Sequence, residues 1–255
     1  PLTACALNTR TPAPLARTPL SPEAEQTFYF LMLEQAVRNN DIEAAQTAVR
    51  ELADLDPREE IFRDGGTLLL FSENTEGARE LAERGLAKFP DNAEITMVLA
   101  ESYLMEQREA EALSVLRQYV EKHPRNYVAR TRLGEVYIQL QRFPEAEQTL
   151  LRIPFSKRNP YVQFLLAKIQ AGLGHQAQAE SMLRDLVKKE PNMLEAWSEL
   201  AFLLESRKDF AGALKIYEML LPQDNANASL WLRIVGLSLK MNDPAKALSV
   251  AQQGP

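Results

Sequence analysis

The chain has 255 residues, a net charge of −6, 45% hydrophobic residues and only 10 glycines, a balance that suits a helical globular protein and excludes a disordered or collagen-like one. No arginine–lysine stripe runs along it, which removes the electrostatic basis for a nucleic-acid partner. No run of 18 apolar residues occurs, so no segment reads as a membrane-spanning helix.

Residues 1–25 read as a tether ahead of a helical domain over 26–255. The only cysteine, Cys5, follows Leu2-Thr3-Ala4. Leu-Thr-Ala-Cys resembles the bacterial lipobox, in which cleavage precedes a cysteine that then carries lipid. The resemblance implies lipidation of Cys5 as the sole membrane attachment, and the start at Pro1 reads as a trimmed signal peptide. Ala6, where aspartate would imply inner-membrane retention, implies the periplasmic face of the outer membrane. The alternative is a chance tetrapeptide beside a structural cysteine, but a cysteine outside any helix has no core to occupy. Ala6 to Pro22 is rich in proline and threonine, with Thr11-Pro12-Ala13-Pro14 and Thr18-Pro19, and reads as an extended spacer. In polyproline II it would reach up to about 50 Å. Ser21-Pro22 then supplies an N-cap and a first helical position.

From residue 26 onward two ladders of mostly small residues run in step. Ala45, Ala78, Ala112, Ala146, Ala179, Ala213 and Ala247 recur at spacings of 33 or 34 residues. Leu33, Gly66, Ala100, Gly134, Ala167, Ala201 and Val235 keep the same spacings. One unit of this length holds two helices and a turn, and small residues fall where the two helices cross. Pro57, Pro90, Pro124 and Pro191 close successive units, because proline ends a helix and restricts the residue before it. Leu99, Leu133, Leu166 and Leu200 mark first helices; Leu116, Leu150, Leu183 and Tyr217 mark second ones; Tyr103, Tyr137, Trp197 and Trp231 fill aromatic slots.

This period and its Trp…Leu-Gly…Tyr…Ala…Pro pattern resemble the tetratricopeptide-repeat (TPR) family. The resemblance implies an all-α fold: a right-handed superhelical solenoid of antiparallel helix pairs, about six and a half repeats long. The repeats read as 26–58, 59–92, 93–126, 127–159, 160–193, 194–227 and a partial 228–255. Neighbouring repeats bury each other's apolar faces, which favours one elongated solenoid over two compact domains. Three departures stand out. Gly65-Gly66 lies inside a helix, and each glycine weakens it by about 1 kcal/mol relative to alanine, so unit two is either soft or closely approached by another backbone. Pro154 and Pro160 place the end of the preceding helix near Ile153. The last repeat has no polar cap, which predicts further repeats or a partner covering the C-terminal edge.

Catalytic chemistry has little basis. The two histidines, His123 and His175, sit beside a helix-ending proline and in a glycine turn, with no cysteine, histidine or carboxylate cluster at metal-ligand spacing. No phosphate-cradling glycine loop or nucleophile elbow occurs. No enzymatic activity, metal or cofactor is expected.

Binding remains. In TPR solenoids first helices line the inner face, and the register assigns to it Phe30, Glu34, Met97, Glu101, Leu104, Glu135, Ile138, Phe164, Lys168, Phe202 and Glu205. Leu104 and Ile138 equally fit packing against neighbouring helices. Phe30, Met97, Phe164 and Phe202 read as exposed anchors, with Glu34, Glu101, Glu135 and Glu205 as carboxylates suiting an apolar partner segment with basic residues. The lysine–asparagine clamp of chaperone-type TPRs is missing, which argues against a co-chaperone. The expected function is a non-catalytic, lipid-anchored periplasmic scaffold, resembling adaptors that bring substrates such as cell-wall hydrolases to carboxyl-terminal processing proteases. The rival is an assembly factor for a type IV pilus, secretin or exopolysaccharide exporter.

Overall fold

The computed structural model describes residues 20–254; Cys5, most of the proline-rich segment and Pro255 lie outside the described residues. Fourteen α-helices follow one another, with no strand among the described residues. The contacts divide the chain at Arg108 into two compact units. The first holds α1 (Pro22–Asn39), α2 (Ile42–Leu55), α3 (Glu59–Phe71), α4 (Thr75–Lys88) and α5 (Ala93–Met105). The second holds α6 (Glu109–Lys122), α7 (Tyr127–Gln139), α8 (Phe143–Leu151), α9 (Pro160–Gly172), α10 (Gln176–Lys189), α11 (Leu194–Ser206), α12 (Phe210–Leu220), α13 (Ala228–Lys240) and α14 (Pro244–Ala251). The odd-numbered helices are the predicted first helices. From α3 onward they start at the predicted unit boundaries, and α1 starts at Pro22, where the Ser21 hydroxyl accepts from the Ala24 N–H at 3.3 Å.

Within each unit the alanine ladder is the crossing point of the helix pairs. All seven alanines are between 0% and 4% exposed, so the axes approach as closely as a methyl group allows. The turn joining first to second helix also repeats. Asn40, Glu73, Gln107, Gln141, Gly174, Lys208 and Asn242 all have φ between 54° and 83°. Around Lys208 its own N–H donates to the Glu205 carbonyl, and the Asp209 N–H to the Leu204 carbonyl, both at 2.9 Å. This left-handed closure satisfies the last carbonyls of the helix. Six of the seven positions carry a side chain although left-handed backbone costs a non-glycine residue about 1 kcal/mol or more, which shows how firmly the packed pair dictates the turn. The next residue then caps the second helix: Asp41, Asn74, Asp209 and Asp243 each accept a backbone N–H at 3.0 Å. Asn92, Asn126 and Asn159 do the same for first helices, at 2.9–3.0 Å.

A further repeated bond ties three first helices, α7, α11 and α13, to the turn before them. Trp197 Nε1 donates to the Pro191 carbonyl at 2.9 Å and Trp231 Nε1 to the Asn225 carbonyl at 2.7 Å. At the same register Arg130 Nη2 reaches the Pro124 carbonyl at 3.0 Å. The helix before Pro154 stops at Leu151, two residues earlier than predicted. Ile153 is fully buried beyond it, and Arg158 folds back so that Nη2 and Nε donate to the Leu151 and Ile153 carbonyls at 3.0 and 2.9 Å, replacing the caps a longer helix would need.

Gly65 and Gly66 are buried in α3 and decide between the two readings of unit two. A Cβ on Gly65 would lie 2.5 Å from Val49 Cγ1 of α2, and one on Gly66 2.6 Å from Val98 Cγ1 of α5. The glycines admit close approach on both sides, and valine, stiff at χ1, cannot yield easily. Gly65→Ala and Gly66→Ala should therefore each lower stability by about 1–3 kcal/mol in urea unfolding. A higher midpoint for either variant, as helix propensity alone requires, would mean that α3 has slack.

Candidate functional site

Within the second unit, α9, α11 and α13 present successive first helices, and a groove of about 690 Å³ opens across them. Tyr161, Phe164 and Lys168 come from α9, Ser198, Glu199 and Phe202 from α11, and Leu230 and Arg233 from α13, with Tyr217 of α12 below. Phe202 is 53% exposed and Tyr161 42%. Both are large apolar surfaces held on rigid helices, the kind of group that anchors an interface.

Phe164 departs from expectation. It is 7% exposed, with Tyr161 at 6.1 Å between ring centres and Lys168 Nζ 5.6 Å from its ring. It forms part of the floor rather than an exposed anchor, because its neighbours one turn to either side on α9 fold over it. Phe202 is exposed. The Arg233 guanidinium lies 5.6 Å from its ring and 5.8 Å from that of Tyr217, a cation–π arrangement that fixes the arginine between two aromatic faces.

The carboxylates also differ from expectation. Glu205 is engaged by Arg233 at 3.1 Å and Lys240 at 2.9 Å. Glu135 pairs with Arg132 at 2.9 Å, and its proximity helps to raise the Tyr161 hydroxyl. Glu34 pairs with Arg38 one turn on. These groups are neutralised by the chain's own cations, which weakens the case for a basic partner segment. Lys168 Nζ stands 3.9 Å from Glu199 Oε2. Burial pushes the Glu199 carboxyl above its ordinary value, and Lys168 only partly opposes this. Burial likewise raises the Tyr161 and Tyr217 hydroxyls.

In the first unit Phe30 is 40% exposed on α1, while Met97 and Leu104 are half-buried on α5, as is Glu101; Ile138 is half-buried on α7 of the second unit. Phe30, Met97, Glu101 and Leu104 belong to one unit and Glu135, Ile138, Phe164, Lys168, Phe202 and Glu205 to the other. Tyr161, Glu199, Tyr217 and Arg233 escaped the sequence reading. Glu199 and Arg233 share one register position with Arg132, so following that column would have found two of them.

The histidines serve local structure. His175 precedes α10 with Nδ1 2.9 Å from Gln170 Oε1, and His123 stacks on Tyr119 at 4.4 Å. Among the described residues no group of three or more His, Cys, Asp or Glu is placed to hold a metal ion, and no helix is long and apolar enough to cross a membrane.

Two sequence profiles, each described as tetratricopeptide repeat, match the chain: one over residues 103–169 and 172–236, the other over 63–127. No curated protein matches. Among solved structures, a tetratricopeptide repeat protein from Parabacteroides merdae is similar over 91% of this chain and 94% of its own, at 17% identity and a TM-score of 0.70. Pseudomonas aeruginosa pilF is similar over 76% and 89%, at 22% identity and 0.64. MamA from Desulfovibrio magneticus is similar over 66% and 96%, at 14% identity and 0.55. At these identities the likeness shows the fold.

The groove makes a pH prediction. Unfolded Glu199 ionises near its ordinary value, 4.5, and the folded residue ionises higher. Between those values the folded state holds the extra proton, so this residue's contribution to stability falls as pH rises through the window. Glu199→Gln should be more stable than wild type at neutral pH in urea titrations and lose less stability on going from acid to neutral. A Gln variant less stable at neutral pH would mean that the attraction of Lys168 outweighs burial.

Proposed function

Since the chain belongs to the tetratricopeptide-repeat family, we propose that it is a non-catalytic protein-interaction scaffold whose partner docks on α9, α11 and α13. The observation that carries this reading is Phe202, a large aromatic more than half exposed in a groove between packed helices. A burial of this kind stabilises a complex chiefly through one or two anchors. With Glu205 and Glu135 already paired to the chain's own cations, the partner is selected by apolar side chains more than by charge.

The finer reading is a lipid-anchored periplasmic adaptor, with Cys5 carrying the lipid, residues 6–22 as spacer, and a carboxyl-terminal processing protease with its cell-wall hydrolase substrates as partners. Its support is Leu2-Thr3-Ala4-Cys5 and the prolines that follow. The alternative, an assembly factor for a pilus, secretin or exporter, is compatible with the fold-level likeness to pilF of Pseudomonas aeruginosa.

Co-purification of the full chain from bacterial envelopes, with mass spectrometry of what accompanies it, separates the two. A processing protease and hydrolases support the adaptor; secretin or synthase subunits support the alternative. Tyr161→Ala together with Phe202→Ala should weaken the partner by about 2 kcal/mol or more, measured by calorimetry, with helicity and melting little changed because both residues are exposed. Wild-type affinity in that double variant would place the partner elsewhere. Palmitate labelling should be lost in Cys5→Ser; equal labelling of both chains would remove the anchor from the proposal.

A further inference from the structure

A second concave site lies in the same unit, built from α6, α7 and α8 rather than from three first helices. It is a groove of about 350 Å³ lined by four arginines, Arg117 from α6, Arg130 from α7, Arg142 at the start of α8 and Arg152 at its end. Only two carboxylates, Glu121 and Glu145, share the lining. In a chain whose net charge is −6, a groove with an excess of two positive charges runs against the overall balance.

The arginines are not consumed by internal pairing. Arg142 is the exception: it donates to Glu145 at 2.6 and 2.8 Å and lies 5.1 Å from the Tyr137 ring. Arg117 and Arg152 make no ion pair among the described residues. Arg130 is 5% exposed. Its Nη2 holds the Pro124 carbonyl, but its buried Nε has no acceptor. Trp197 and Trp231 hold the equivalent carbonyl with a single donor and no charge, so anchoring the turn does not require a guanidinium here. Burial, reinforced by the neighbouring Arg152 charge, pushes the Arg130 guanidinium below its ordinary value. The folded chain thus gathers more positive than negative charge here, part of it desolvated, with only Arg142 paired.

We propose that this groove binds a phosphate-type dianion, with Arg117, Arg130 and Arg152 supplying the charge and Gln148 and Thr149 of α8 neutral hydrogen-bonding partners. Guanidinium forks match phosphate oxygens in pairs, and such charge-assisted bonds strengthen when one partner is buried. A monoanion would leave the groove positive, whereas a dianion balances its net charge. The phosphate group reaches the site either free in solution or on a lipid headgroup. This site is independent of the Phe202 groove, and its success or failure leaves that reading untouched.

The test titrates the full chain with sodium pyrophosphate and with inorganic phosphate by calorimetry at constant ionic strength, and separately measures its binding to vesicles containing phosphatidic acid. Arg117→Gln together with Arg152→Gln, both on the surface, should leave helicity intact and weaken binding at least tenfold. Arg130→Gln is the second variant and should do the same if it folds. Saturable binding of the free anions that the double variant loses supports the site with a soluble ligand. Vesicle binding alone, lost in the same variant, supports it with a headgroup. Equal binding by wild type and the folded double variant, or no binding of either probe by wild type, overturns the proposal.

Discussion

Within each unit, the helix pairs close on an alanine that has no room beyond its methyl group, and the placement of the other side chains follows from that contact. Ala78, Ala146, Ala179 and Ala213 have no exposed surface at all. At such a crossing the two axes are locked in distance and in register, which sets the face that each helix presents to its neighbours. The same tightness appears at the opposing ladder: a Cβ on Gly134 would stand 2.5 Å from Leu150 Cδ2. A larger residue at either ladder would separate the helices and rotate the face each presents. In the second unit, this constraint brings Tyr161, Phe202 and Arg233 to one groove from three helices.

The energetics of that groove are mostly those of aromatic surface. Phe202, Tyr217 and Phe164 each have a cation within 5.8 Å of the ring, and those cations are themselves tied to Glu199 and Glu205. Exposed ion pairs of this sort add little stability, about 0–1 kcal/mol, but they hold long side chains in place and leave the groove nearly neutral. The arginine groove on α6, α7 and α8 differs in kind, since its four arginines outnumber the two carboxylates that share its lining. Two sites of opposite character in one unit suit a scaffold that recognises one ligand by apolar contact and another by charge.

The helix starts were legible in the sequence because close crossing demands small residues, and such residues recur visibly at 33 or 34. The Ser21-Pro22 start was legible because serine suits an N-cap and proline the first helical position. The left-handed turns were not, since Glu73, Gln107, Gln141 and Lys208 carry no turn signature; only the packing around them forces the backbone. Register also told which face of α9 Phe164 lies on without telling that Tyr161 and Lys168 fold over it. The carboxylates misled for a similar reason. Glu135 and Glu205 stand on first helices, but their partners Arg132, Arg233 and Lys240 stand at other register positions, and pairing depends on side-chain reach rather than spacing.

The central claim is that the first helices of the second unit carry the partner. Hydrogen–deuterium exchange of the chain, alone and in the complex recovered from envelopes, tests it most directly. Binding on the Phe202 groove predicts slowed exchange in α9, α11 and α13, with α10 and α12 unchanged away from Tyr217. Protection confined to α10, α12 and α14, or to the first unit, would contradict it.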